Sequence, residues 1–325
     1  MNTVKVKGIS YHVDEVGREA VRADLRVIRD QLHCTAVLLT GAGLDALAEA
    51  AEDALAAGLD VHIRPEPVEA GPSELVAHVR AAAKEAERLR DRYPGRVTFH
   101  IGNEFSLTSR GVVPGAGVFL RLQLILRCGW LFRRRITRKV GVLVRGLTAV
   151  ARREFGGPVT YSAAHWEHVD WSTVDIVGVN LYRFGDDPGY PDRVRSLVDT
   201  AAGKPVVITE FGCGAHVGGN LRGAGAFLIV NWFGSRPRVR DGHVRDERVQ
   251  ARYLGELIRL YGETGVHGCF VFTFAMPDFP HDPDPRWDLD MAGFGVVKTL
   301  PGGEPRWERK AAFDEVASRY RRTSQ

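Results

Sequence analysis

A single (β/α)8 barrel, an α/β fold occupying residues 1–325, is the architecture the sequence predicts, and three observations carry it. Eight short strand-like runs alternate with stretches of helical apolar spacing, the period switching between two and 3.6 along the chain. The phosphate-binding glycine fingerprint that would follow the first strand of an open doubly wound sheet is absent, and Gly8-Ile-Ser-Tyr-His stands there instead. Two runs end in a carboxylate, Glu104 and Glu210, although a strand buried in a parallel sheet should stay apolar to its tip. An acid there sits where a barrel opens to ligand.

The elements follow in order. Strands are expected at Val4–Tyr11, Thr35–Thr40, Leu59–Arg64, Val97–Gly102, Val159–Ala163, Ile176–Leu181, Val206–Thr209 and Gly268–Phe274. Helices are expected at Val16–Gln31, Leu44–Ala57, Ser73–Arg92 with Ser73 as N-cap, Pro191–Ala202 and Arg245–Gly262. The Gly-rich tract at 212–225 follows an acid rather than opening a helix, and reads as a mobile active-site loop. One segment departs from the pattern, a lengthened fourth helical region around 112–155. Its apolar stretch, Val118 to Phe132, is interrupted by Arg121, Gln123 and Arg127 and is shorter than the ~20 residues a membrane span needs. A barrel helix packed on the sheet or on a second subunit is the preferred reading over a surface-membrane helix.

Composition bounds the class. The chain is 44% hydrophobic and 26% charged, within the range of a globular protein with a large core. Arg supplies 37 of the 44 basic residues and the net charge is only +4, the signature of the codon bias of a GC-rich genome rather than of a nucleic-acid partner. Four cysteines, at 34, 128, 213 and 269, lack CxxC spacing and read as reduced thiols. The chain enters a strand at once, so no signal peptide is expected and the location expected is cytoplasmic. No cofactor is expected, and oligomeric state is not readable.

On a barrel, acids at the tips of strands four and seven face each other across one pocket. Two facing carboxylates are the requirement for glycoside hydrolysis: one protonated donor to the leaving oxygen, one ionised attacker of the anomeric carbon. A separation of ~5 Å retains configuration, and ~6.5–9.5 Å admits a water and inverts it.

With Asn103-Glu104 closing strand four and Thr209-Glu210-Phe-Gly closing strand seven, the sequence resembles the clan A glycoside hydrolases. That resemblance implies Glu104 as acid/base, Glu210 as nucleophile with a lowered pKa, Asn103 as partner of the sugar hydroxyl next to the anomeric carbon, and Tyr182 of Asn180-Leu-Tyr as hydrogen-bond donor to the nucleophile. The tail from Phe294 to Phe313 looks like the last loop and helix of such enzymes. The family's early-strand arginine and strand-eight tryptophan are missing from their places; Arg64 is the substitute for the first, and Phe274 or Trp166 for the second. The chain is also similar to actinobacterial proteins labelled abortive infection protein. His165 and Trp166, in His165-Trp-Glu-His168, are expected to contact substrate rather than metal. Asp278, with His281 and Asp288, is a candidate for sugar hydroxyls, and Tyr11 reads equally as a binding or a packing residue. The expectation is a retaining glycosidase acting on a small or intracellular glycoside. The alternatives are a barrel that binds a sugar or metabolite without hydrolysing it, and a natural-product tailoring enzyme using the same glutamates for acid/base chemistry.

Overall fold

The computed structural model describes residues 3–67, 69–302 and 306–321. Eight parallel strands form a closed barrel: β1 (Val6–His12), β2 (Ala36–Gly41), β3 (Asp60–Pro65), β4 (Val97–Asn103), β5 (Val159–Ala164), β6 (Val177–Asn180), β7 (Val206–Phe211) and β8 (Gly268–Val271). Neighbours run in chain order, and β8 closes on β1 with Val6 opposite Gly268. Around it lie α1 (Arg18–Asp30), α2 (Leu44–Ala56), α3 (Pro72–Arg92), α4 (Val118–Glu154), α5 (Tyr190–Asp199), α6 (Glu247–Glu263) and α7 (Ala311–Arg321). Between β5 and β6 there is only a 3-10 turn, Trp171–Thr173.

Strand alternation sorts side chains into two layers. Val37 and Leu39 join the large core between barrel and helices, whereas Ala36 and Leu38 meet Val207 and Phe270 in a small cluster inside the barrel. The Phe270 ring lies against Gly8, where any Cβ would come within 2.3 Å of it. Outward residues of β1 pack on α1. There Tyr11 is buried, its hydroxyl donating to Asp24 at 2.8 Å. Asp24 also accepts from Trp307 Nε1 at 2.9 Å and from Arg306 Nη2 at 3.0 Å, tying the C-terminal hairpin, Val297–Thr299 with Trp307–Arg309, to the first helix.

Most boundaries shift by one to three residues from expectation, and three differences have a local physical reason. Pro72, not Ser73, opens α3, because Gly71 occupies the cap position and its N–H donates to Glu74 Oε2 at 2.7 Å. Pairing of β8 stops at Val271 instead of Phe274, since Phe274 N–H turns to the Ser10 carbonyl and Thr273 N–H to that of Phe294. The glycines at 212–225 are packed rather than loose: a Cβ on Gly212 would lie 2.6 Å from the Phe272 carbonyl oxygen and one on Gly219 2.4 Å from that of Gly214. The cysteines are free thiols.

Replacing Asp24 with alanine strands the buried Tyr11 hydroxyl and removes the partner of the half-buried Trp307 indole N–H. A loss of about 3 kcal/mol in unfolding free energy is expected, with Asp24→Asn costing less; urea titration of both variants measures it.

Candidate active site

Glu104 follows the last residue of β4 and takes a left-handed conformation, φ 40° and ψ 57°. A side chain-bearing residue there costs on the order of 1–2 kcal/mol, so its surroundings must fix it. Its N–H donates to the Ser162 carbonyl at 2.9 Å, and its carbonyl accepts from Leu107 and Thr108 N–H. The next two N–H groups are captured from β5 and the loop after it: Phe105 donates to the Tyr161 hydroxyl at 2.6 Å and Ser106 to the Glu167 carboxylate at 2.7 Å. Tyr161 in turn donates to Glu167, which is buried.

Both acid-bearing strands carry one extra residue just before the acid. On β4 the register to β5 shifts between His100 and Asn103, and on β7 it shifts against both β6 and β8 next to Glu210. Strict alternation would put His100 and Asn103 on opposite faces, and likewise Val207 and Glu210. The bulges bring each pair to the barrel interior, where re-aiming of this kind serves a site.

Glu210 is enclosed. Its Oε1 accepts from Arg64 Nη2 at 2.6 Å and from Asn103 Nδ2 at 3.5 Å, and its Oε2 accepts from the Tyr182 hydroxyl at 3.1 Å. Arg64, 1% exposed, also lies 2.8 Å from Glu66 and donates to Ser162 Oγ at 3.4 Å. Glu104 has no cation on it among the described residues. Its Oε1 accepts from the Asn180 amide at 3.0 Å, and the same amide donates to Asn103 at 2.9 Å while its oxygen accepts from Thr209.

These surroundings polarise the pair. Burial, and then the negative charge of Glu210, push Glu104 up to about 8. The expected lowering of Glu210 is corrected: burial raises it too, against the pull of the Arg64 charge and the hydrogen bonds from Arg64 and Tyr182. What separates the two acids is therefore a cation on one and a neutral amide on the other. They titrate as a pair, and the proton resides on Glu104. Tyr182 stays a phenol, held far above its ordinary range by burial and by the two carboxylates.

The remaining candidates divide. Asn103, Tyr182 and Arg64 converge on Glu210. Trp166 lies on the Glu104 side, its indole N–H donating to Ser106 Oγ at 2.9 Å, with exposed His165 edge-on to it at 4.7 Å. Two are corrected. Tyr11 faces α1, because residues 9 and 11 of β1 point outward. Phe274 is fully buried between Tyr11 and Trp307 and offers no face to a ligand. Asp278 stands exposed on the loop after β8, and His281 and Asp288 bond each other at 2.9 Å, with Asp288 also held by Arg245. Among the described residues no cluster of three or more His, Cys, Asp or Glu could hold a metal.

Several residues of the site escaped the sequence reading: Asn180 as the amide on Glu104, Glu66, Ser162, Glu167, and Phe272. The half-buried Phe272 ring follows β8 and packs with Phe294, which meets Tyr182 edge-on at 6.2 Å. Through Phe294 it is linked to Tyr182, the phenol on Glu210, whereas Phe274 packs between Tyr11 and Trp307. Below Ser162 lie His100, 3.0 Å from its hydroxyl, and His62, 2.9 Å from His100. Burial keeps both imidazoles neutral, His62 falling to about 3. A signal existed for this chain: His62, Arg64 and Glu66 alternate with Val61, Ile63 and Pro65, a polar stripe on the inward face of β3. A cleft of about 270 Å³, lined among others by His12, Glu66, Asn103 and Thr108, reaches the site at Asn103 and Glu66; neither glutamate of the pair lines it.

No protein-family model matches the sequence, and no curated protein matches it. Solved structures do. One GH113 β-1,4-mannanase aligns over 99% of this chain and 100% of its own at 17% identity, TM-score 0.64. The GH113 β-mannanase AaManA from Alicyclobacillus acidocaldarius, in complex with ManMIm, aligns over 98% of both chains at 19% identity, TM-score 0.59. A β-glucuronidase from Ruminococcus gnavus aligns over 98% of this chain and 50% of its own at 16% identity, TM-score 0.61. The chain thus shares the barrel fold of glycoside hydrolases over its length. The comparisons carry nothing for the resemblance to abortive infection proteins or for an actinobacterial source.

Removing the charge of Glu210 should relax its neighbour. In Glu210→Gln the pKa of Glu104 is expected to fall below about 8 yet stay above 4.5, since burial remains; carbon-detected NMR titration of the glutamate carboxyls measures it.

Proposed function

We propose that the protein is a retaining glycoside hydrolase in which Glu210 is the nucleophile and Glu104 the acid/base, acting on a small or intracellular glycoside. The observation that carries this reading is the unequal holding of the two carboxyls, Glu210 by a buried guanidinium and a phenol, Glu104 by one amide. A carboxylate pinned through both oxygens by donors is ready to attack as an anion. A carboxyl whose pKa stands near 8 carries a proton at neutral pH and can give it away.

In the first step the Glu210 carboxylate attacks the anomeric carbon while Glu104 passes its proton to the departing glycosidic oxygen, so the C–O bond breaks as the ester to Glu210 forms. Once glycosylated, Glu210 no longer bears the charge that helped raise Glu104, and the Glu104 pKa drops. Glu104, now ionised, takes a proton from water as that water attacks the same carbon and releases Glu210. The fall in pKa between the two steps fits the change of role from acid to base. Asn103, hydrogen-bonded to Glu210 and Glu66, faces the sugar hydroxyl next to the anomeric carbon, and Phe272 supplies the apolar floor.

Activity should decline as pH rises through about 8, where Glu104 loses its proton in the free enzyme. With a dinitrophenyl glycoside, whose leaving group needs no proton, Glu104→Gln should keep the first step and lose the alkaline limb of kcat/KM. With a poor leaving group it should lose at least about 10²-fold. An unchanged alkaline limb in that variant would remove Glu104 from the acid role.

Stability gives a second check. A folded-state pKa raised above the unfolded value means that the fold prefers the protonated acid. Its stabilising contribution is full below about 4.5 and is lost as pH rises through about 8. Glu104→Gln, which mimics the protonated form, should therefore match the wild type near pH 4.5 and exceed it by about 4 kcal/mol near pH 8.5 in urea unfolding.

A further inference from the structure

We propose that the N-terminal half of α4 is a docking surface for an anionic lipid membrane. The helix is 37 residues long, about 55 Å at helical rise, against 10–21 for the other barrel helices, and it bends at Cys128, whose φ of −136° is non-helical. Its buried stripe, including Ile136, Val140, Val144 and Leu147, accounts for packing on the barrel. That packing leaves Val118, Phe119, Leu120, Leu126, Trp130 and Leu131 exposed, Trp130 at 77%. Before the bend Phe119 and Leu126, seven apart, fall on one stripe with Leu120 and Arg127 on the stripe beside it, and Trp130 and Leu131 follow directly after the bend.

Charge names the occupant. Between Glu104 and Glu154 the chain carries ten arginines and one lysine and not a single acid, while the rest of the molecule holds 33 basic residues against 40 acidic ones. Arg127, Arg133, Arg134 and Arg138 are exposed. Among the described residues none of the four has an acidic partner within 4.0 Å. A polar face of arginine beside exposed Trp, Phe and Leu is what an interfacial helix presents to anionic headgroups and the acyl boundary beneath them. A second copy of the chain would bring an equally cationic face and is disfavoured. Nucleic acid would satisfy the arginines but leave the apolar stripe in water. No helix among the described residues is long and apolar enough to cross a membrane, so the surface lies on the bilayer and does not span it. Arg121, bonded to the Leu107 carbonyl and to Glu69, braces this half of the helix against loops at the barrel mouth, so the docked molecule turns that mouth toward the lipid. The surface is separate from the glutamate pair, and its test does not depend on turnover.

The experiment is sedimentation of the full chain with vesicles of phosphatidylcholine alone and of phosphatidylcholine with 30% phosphatidylglycerol. Expected is at least tenfold stronger partitioning onto the anionic vesicles, weakened by 0.5 M salt. The double variants Trp130→Ser/Leu131→Ser and Arg133→Glu/Arg134→Glu should each lose it at least tenfold, with unchanged circular dichroism and unchanged Tm. Four results would overturn the proposal: no preference for anionic vesicles; partitioning untouched by both variants; a wild-type dimer in analytical ultracentrifugation that Trp130→Ser/Leu131→Ser turns into monomer; or binding to duplex DNA that exceeds vesicle binding and survives that variant.

Discussion

A guanidinium sealed inside a barrel must be answered by negative charge, and the mouth of this molecule is organised around that demand. Arg64 is almost wholly removed from water, and the cost of stripping its hydration is met only if anions and acceptors surround it. Glu66, Glu210 and the Ser162 hydroxyl do so, each from a different place around the axis. Glu210 is thereby tied by one oxygen to a rigid cation on β3, and Tyr182 secures the other. With both oxygens held, the carboxylate has one geometry.

The bulges in β4 and β7 are what make that convergence possible. They are also the part of the site the sequence hides most completely, because an inserted residue in Val97–Asn103 or Val206–Phe211 leaves no mark in a β-branched run. The strands were legible from composition, and the acids from their position at the tips. Arg64 was legible as the only early-strand cation of suitable place. Tyr11 could have been placed by parity, since Gly8, Ser10 and His12 line the inside of β1 and the residues between them face the helices. Phe274 could not, because it depends on where β8 pairing ceases. Asn180 was in view as part of Asn-Leu-Tyr, but nothing in the sequence marks the left-handed backbone of Glu104, whose carboxyl accepts from the Asn180 amide.

That turn shows how the fold supports a strained residue. Tyr161 and Glu167 accept the two N–H groups that follow Glu104, and Glu167 is itself a buried carboxylate whose charge adds to the upward pressure on the Glu104 pKa. Position and protonation are thus set by the same neighbours. The likeness to mannanases and a glucuronidase at 16–19% identity rests on the barrel; the proposed division of labour between the glutamates rests on the local contacts.

The central claim is that Glu210, and not Glu104, bonds to the sugar. Incubation with activated 2-deoxy-2-fluoro glycosides, which form the glycosyl-enzyme but release it slowly, followed by mass analysis of peptides, tests it directly. One sugar equivalent is expected on the peptide containing Glu210. A label on the Glu104 peptide, or turnover of a cleaved glycoside with inverted anomeric configuration and no label, would contradict it.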